Sequence, residues 1–210
     1  MSQRSSGYER KERDLYETPE WVTLALLDNN LRPPCVIWEP AAGGGKMVDA
    51  LGITDARIIA TDIATGTDFL TADPPSGVDA IITNPPYALA REFIERALEI
   101  VKPAAGQVAM LLRTDYDHAK TRQHLFSGCP AFARKLVLTK RIVWFERPGA
   151  AQPSFNHAWY IWDWTHESLP SLVYGPRPED EDAESPYRLA TEAKLYAEAV
   201  TTWPTNLFDD

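Results

Sequence analysis

Residues 35–45 read CVIWEPAAGGG, and this stretch decides the fold. Val36-Ile37-Trp38 is an uninterrupted β-branched and aromatic run, the composition of a strand covered on both faces. It ends in an acid, Glu39, and passes through Pro40-Ala41-Ala42 into Gly43-Gly44-Gly45. Such small residues let the backbone approach a ligand closely. Residues 46–51 then read as a helix. Strand, acid, glycine turn and helix open an α/β unit, in which ligands bind outside the carboxyl ends of the strands. Two phosphate loops are disfavoured by the spacing. Val48 stands where G-x-G-x-x-G requires its third glycine, and Pro40 and Met47 replace the glycine and hydroxyl residue of a P-loop.

Working outward, the same alternation continues. Residues 57–62 (RIIATD), 79–84 (DAIITN) and 107–112 (QVAMLL) read as buried strands. Residues 88–102 read as a helix with Phe93, Ile94, Ala97, Leu98 and Val101 on one stripe. Upstream, Thr18-Pro19-Glu20-Trp21 opens a helix, with Thr18 suited to cap it and Pro19 to its first turn. This pattern predicts a mostly parallel sheet with helices on both faces. Residues 135–145 and 158–164 read as two successive strands joined by ERPGAAQPSFN, which predicts an antiparallel edge. Trp162 and Trp164 alternate on one face of the second. Prolines and acids dominate 167–186, which reads as a poorly packed tail before a helix near 188–200. The domain is therefore placed at 1–164 and an acidic, partly ordered extension at 165–210.

The chain has 210 residues, 44% of them hydrophobic, enough for one domain with a continuous core. It opens on a polar stretch, MSQRSSGYERKERD, and no apolar run reaches the roughly 18 residues of a spanning helix. A cytoplasmic protein without a membrane partner is expected. Cys35 and Cys129 lack ligand spacing and read as reduced thiols, and the histidines share no spacing that suggests a metal. The net charge of -9 is concentrated at 165–210, where ten acids meet three bases. Within 113–147 the balance reverses to eight bases against three acids. That segment either faces phosphates or is a solvated surface stretch.

Two stretches carry candidate chemistry. Glu39 and Gly43 to Gly45, followed by a second strand ending in Asp62, suit a nucleoside whose ribose diol donates to the acid. The bland alternatives are a loop cap and a helix N-cap. At Asn84-Pro85-Pro86-Tyr87 a buried strand runs into an amide, two prolines and an aromatic ring. Neither proline nitrogen can donate and Pro86 holds Pro85 extended, so a side-chain oxygen and a fixed carbonyl converge. Such a pair holds both hydrogens of a planar amino group while Tyr87 stacks on its ring, a contact worth about 1–3 kcal/mol for a base. The alternative is a rigid turn with Tyr87 in the core.

These motifs resemble those of class I S-adenosylmethionine-dependent methyltransferases, specifically those acting on adenine N6. The resemblance spans roughly residues 16–163, with Asn84 to Tyr87 its most specific part. It implies a Rossmann-like fold of seven strands and S-adenosyl-L-methionine as cofactor. Tyr16, Thr18 and Pro19 would meet the cofactor's amino acid end, and Glu39, Pro40, Ala41 and Gly43 would form its first binding motif. Asp62 and Ile63 would hold the ribose and cover the adenine ring. Asp68 and Phe69 would recognise the cofactor's adenine edge, and Asn84 would touch both cofactor and substrate. Asn84, Pro85, Pro86 and Tyr87 would form the catalytic motif. Trp144 or Phe145, within 140–145, would pack on the other face of an extruded base.

The resemblance favours DNA over RNA as substrate. Arg113, Lys140 and Arg141 are candidates for contacting it, and Asn156-His157 for lining the pocket. No room for a recognition region separates Asp68 from Asn84, so recognition falls to 114–134 and the loop at 146–156. Protein glutamine is a rival substrate, because its side-chain amide is also a planar amine. A noncatalytic nucleoside-binding or interaction module is a rival of another class.

Overall fold

The computed structural model describes residues 16–29, 32–144 and 155–176 of the chain. Among them, β1 (Val36–Glu39), β2 (Arg57–Ala60), β3 (Ala80–Thr83), β4 (Gln107–Arg113), β5 (Phe132–Leu138), β6 (His157–Asp163) and β7 (Ser171–Gly175) form one sheet. Its order is β2-β1-β3-β4-β6-β5-β7. Adjacent strands are parallel except around β6, which runs antiparallel to both β4 and β5. The α-helices of the described residues are α1 (Glu20–Asp28), α2 (Lys46–Leu51) and α3 (Ala90–Val101). None of the helices described is long and apolar enough to cross a membrane.

Successive strand residues point to opposite sides of a sheet, and here both sides are apolar. On one side Trp38, Ile81, Val108, Met110, Tyr160 and Trp162 pack with Phe93, Ile94 and Ala97 of α3. On the other, Ile37, Ile82, Leu111, Trp159 and Ile161 pack with Val22 and Leu26 of α1 and Met47 and Leu51 of α2. Each such side chain contributes about 1.5–3 kcal/mol when fully buried. Buried indole N–H groups need acceptors, and they staple the layers together. Trp159 Nε1 donates to the Val22 carbonyl at 2.8 Å, Trp162 Nε1 to Leu125 at 2.6 Å and Trp38 Nε1 to Thr61 Oγ1 at 2.8 Å.

From β1 the chain steps to β2 on one side and returns to β3 on the other, so the strand order reverses at β1. A crevice forms outside the carboxyl ends of strands at such a point. Residue pairing between β1 and β3 covers Ile37 with Ala80 and Trp38 with Ile81. β1 ends at Glu39 and β3 at Thr83, both at the head of this crevice.

The expected fold is observed, with physical differences in detail. The antiparallel strand lies between β4 and β5 instead of on the rim, because the rim is taken by β7. That strand belongs to the stretch expected to be a poorly packed tail. It pairs in parallel with β5 from Arg134–Ser171 to Leu138–Gly175. Expected at 135–145, β5 instead starts at Phe132, with an irregularity between Phe132 and Arg134, and ends at Leu138. Thr18 makes no cap; Pro19 takes that position and its carbonyl accepts from Val22 N at 3.0 Å. Trp164 shares the side of Trp162, as its alternation predicts. The tail helix near 188–200 lies outside the described residues.

Candidate active site at the carboxyl ends of β1 and β3

The turn after β1 has the backbone its glycines permit. Gly43 and Gly45 hold positive φ, 52° and 92°, which residues with a Cβ rarely adopt. At Gly44 the Glu17 carboxylate lies where a Cβ would stand, a contact that the flexible end of Glu17 can relieve. Glu17 in turn pairs with Lys46 at 2.9 Å, so the segment before α1 lies against the glycine turn. Within that segment Thr18 is buried and Tyr16 half-buried.

Asp62 makes the cap that was the structural alternative for it, and adds a tie across the crevice. Its Oδ1 accepts from Ala64 N at 2.7 Å, capping the 3-10 turn 63–65, and its Oδ2 accepts from Gly43 N at 3.0 Å. One carboxylate therefore ties the end of β2 to the glycine turn after β1. Beside it, Ile63 is 68% exposed, an apolar side chain held out at the mouth of the crevice. Asp68 Oδ1 accepts from Leu70 N at 3.0 Å. The structure does not bring the Phe69 ring to the crevice. It is buried edge-on against Trp38 at 5.0 Å and tilted against Phe93 at 4.7 Å, in the core over α3.

Glu39 is 1% exposed. Its Oε1 accepts from Ala41 N at 2.9 Å, while Oε2 and the neighbouring buried Thr83 Oγ1 do not meet at hydrogen-bonding geometry and have no other partner. Burial pushes the carboxyl up to about 8, opposed by the nearby Thr83 hydroxyl and the Ala41 amide, with Asp62 adding to the rise. The unpartnered Oε2 is left for a polar group of a ligand, to which a protonated carboxyl can donate. The motif pattern reached Glu39 but carried no signal for Thr83.

Across the crevice, the loop after β3 begins at Asn84, whose Nδ2 donates to the Tyr16 carbonyl at 3.1 Å. Among the described residues its Oδ1 accepts no hydrogen bond. Pro85 is buried and Pro86 exposed. Tyr87, 39% exposed, is not a core residue. Its hydroxyl meets His157 Nε2 at 3.1 Å, and its ring is stacked on the imidazole with centroids 6.2 Å apart. Trp144 approaches edge-on to both Tyr16 and His157, each at 5.3 Å. Tyr16, Tyr87, Trp144 and His157 thus form one aromatic cluster contributed by four separate parts of the chain. Phe145 lies outside the described residues.

His157 is 3% exposed, and its Nδ1 has no partner. Desolvation, reinforced by Arg113, lowers its pKa to about 4, so the ring is neutral near pH 7. Arg113 pairs with His157 in the sheet register, grips Asp115 with two bonds of 3.0 and 2.7 Å, and stands 4.2 Å over the Phe155 ring. Arg141 Nε donates to Asn156 Oδ1 at 3.1 Å, beside His157. Lys140 lies instead over Trp21 of α1, at 5.6 Å.

Among the described residues, 113–144, the basic stretch is not a continuous phosphate-facing stripe. Arg134 donates to the Asn29 carbonyl and to Ser171 Oγ, joining α1 to β7. Lys135 is spent on Asp117 and the Thr114 carbonyl, both at 2.8 Å, and Arg122 on the Tyr116 ring at 4.0 Å. Charge counting could not tell these inward-turned cations from exposed ones.

The chain is similar in structure to known proteins across most of its length. One, from Listeria monocytogenes and described as a class I S-adenosylmethionine-dependent methyltransferase, is 12% identical, with a TM-score of 0.55 over 79% of this chain and 67% of that one. The methyltransferase subunit of a type I restriction-modification system from Streptococcus thermophilus is 13% identical, with a TM-score of 0.52 over 71% of this chain and 44% of that one. The type IIG restriction endonuclease BpuSI is 12% identical, with a TM-score of 0.50 over 83% of this chain and 28% of that one. The chain therefore has the Rossmann-like fold of class I methyltransferases and spans less than half the length of the two restriction proteins. No family model matches it, and no curated protein matches it in sequence.

Proposed function

We propose that this protein is an S-adenosylmethionine-dependent N-methyltransferase that methylates the exocyclic N6 of adenine in DNA. One observation carries the reading. Asn84 is anchored through its nitrogen, which leaves Oδ1 as the acceptor at the start of the rigid turn that carries the exposed ring of Tyr87.

The crevice residues fit the cofactor. The glycine turn is covered mainly by the movable carboxylate of Glu17, Ile63 presents an apolar side chain beside Asp62, and Glu39 keeps one buried oxygen unpaired. S-adenosylmethionine would be held by the segment of Tyr16, Thr18 and Pro19, by Pro40, Ala41 and Gly43, by Asp62 and Ile63, and by Asp68. Of Phe69 only the backbone is available. Bound there, the cofactor supplies an activated methyl group on a sulfonium.

The work left to the chain is to present a weak nucleophile. In adenine the amino lone pair is delocalised into the ring, which makes the nitrogen a poor nucleophile, and its proton is too weakly acidic to be removed beforehand. The nitrogen attacks the methyl first, displacing a neutral thioether, and once methylated it releases one proton to solvent. Asn84 Oδ1 and the Pro85 carbonyl accept the two N–H groups, and their negative ends face the nitrogen as positive charge develops on it. The rigid Pro85-Pro86 turn holds the amine in line for attack. Tyr87 and Trp144 flank the ring. Because N6 is out of reach inside a duplex, the base is flipped or taken from a single strand. Arg113 and Arg141, exposed near His157, are the cations best placed to meet phosphates. The free thiols of Cys35 and Cys129 suit a reducing, cytosolic setting.

The test is calorimetric titration with S-adenosylmethionine, followed by transfer of labelled methyl to single- and double-stranded DNA, RNA and a protein extract. Binding with label on DNA adenine is the expected result. Label on RNA alone or on protein glutamine would replace the substrate, and no binding would return the glycine turn to a structural role.

A further inference from the structure

We infer that His157 is a positioning residue that fixes the ring of Tyr87 as a wall of the substrate site. The inference rests on the reading of Tyr87 as a base-stacking residue and extends it to a strand far away in sequence. Tyr87 sits in a short exposed turn, 87–89, where a surface tyrosine would ordinarily sample several rotamers. The ring of Tyr16 lies 6.4 Å from it, centroid to centroid, and the hydrogen bond that restrains its hydroxyl comes from β6. His157 is buried at the first position of that strand, locked in register opposite Arg113 of β4. Its Nε2 meets the Tyr87 hydroxyl at 3.1 Å while the two rings stack.

The unpartnered Nδ1 selects the tautomer. A ring proton on Nδ1 would leave an orphan N–H in the interior, which is costlier than a bare lone pair. The proton therefore belongs on Nε2, donating to Tyr87 Oη. Trp144, edge-on to the same imidazole, makes His157 the common support of both aromatic walls. A histidine serving only the core would bond a neighbouring carbonyl or carboxylate. This one spends its hydrogen bond on a partly exposed tyrosine next to the Asn84-Pro85-Pro86 turn.

The experiment compares His157→Ala, His157→Gln, Tyr87→Phe and the double variant His157→Ala/Tyr87→Phe in the full chain. It reads melting temperature, S-adenosylmethionine affinity, and kcat and KM for an adenine-containing single-stranded oligonucleotide. A fourth readout, the imidazole 15N shift of His157 in wild type and Tyr87→Phe, needs no activity. The expected result is a loss of about tenfold or more in kcat/KM for His157→Ala, with cofactor affinity unchanged. Tyr87→Phe should match it, the double variant should be no worse than either single one, and His157→Gln should recover part of the loss through its amide nitrogen. A displaced Nε2 resonance in Tyr87→Phe is expected as well. Multiplicative effects in the double variant would overturn the inference, as would a lower melting temperature with unchanged kcat/KM. If His157→Ala does not fold, His157→Gln and Tyr87→Phe decide it by the same comparison. A wild type inactive on every nucleic acid would remove the proposed function, while the 15N shift would still decide whether His157 holds Tyr87.

Discussion

Asn84 donates its side-chain amide to the carbonyl of Tyr16 at 3.1 Å, joining the loop after β3 to the segment that precedes α1. The bond resolves which end of the amide faces outward. With Nδ2 committed to a backbone carbonyl, Oδ1 is the atom left for a substrate. The same segment leans Glu17 over the glycine turn, so both halves of the crevice are organised by a few residues at 16–19.

Asn84→Ala is therefore expected to lower methyl transfer by about a hundredfold or more, the loss typical when one preorganised polar group is removed from a reacting centre. S-adenosylmethionine affinity should stay within a few-fold of wild type. Single-turnover kinetics with separate calorimetry distinguishes the two quantities. A parallel collapse of cofactor binding would place Asn84 in the cofactor site only.

Asp62 predicts the opposite split. Asp62→Ala removes the acceptor for Ala64 N and the tie to Gly43 N, and should weaken cofactor binding while leaving turnover at saturating cofactor near normal. The lost cap should also cost about 1 kcal/mol of stability. Asp62→Asn keeps one acceptor oxygen and should fall between. Equal cofactor affinity in all three proteins, measured by calorimetry, would reduce Asp62 to a turn residue.

How much of this was readable beforehand depends on how local the signal is. The glycine turn, the Asn84 loop and α2 are written in contiguous residues, and α2 occupies its expected span, Lys46–Leu51. β7 was not readable, because Leu172 and Tyr174 stay exposed and the strand forms only through pairing with β5, dozens of residues away. The same holds for side-chain partners. Nothing local marks Arg134 as bonded to α1, Phe69 as a core ring inside a motif, or His157 as the partner of Tyr87. Residue type predicted which chemistry was present, and tertiary contact decided which copies of it face the crevice.

Gly106 marks the point where the chain leaves α3 for β4. It is buried, and a Cβ there would collide with the Asp79 carbonyl and Val101 Cβ, neither of which is a flexible side-chain end. Gly106→Ala should therefore destabilise by about 2 kcal/mol, the usual scale of overpacking, and lower the melting temperature by roughly 4–8 °C for a chain of this size. Gly44→Ala is the control. There the obstacle is the Glu17 carboxylate, whose exposed pair with Lys46 contributes at most about 1 kcal/mol, so its melting temperature should barely move. Similar melting curves for the two variants would contradict this distinction.

Glu39 makes a prediction about pH. Its carboxyl is held at about 8 in the folded chain against an ordinary 4.5, with desolvation the main cause. A carboxyl whose pKa is raised by folding binds its proton more tightly in the native state, so folding takes up a proton between those values. Stability must then fall as pH rises through that window, and the contribution of this group is most favourable below it. Glu39→Gln is neutral at every pH and removes this dependence. In urea denaturation the variant should gain on wild type steadily from pH 5 to pH 8, with the largest difference at the upper end. Parallel pH profiles for the two proteins would mean that Glu39 is already ionised at pH 5 in the folded state, and that its buried oxygen has found a cationic or donor partner within the chain.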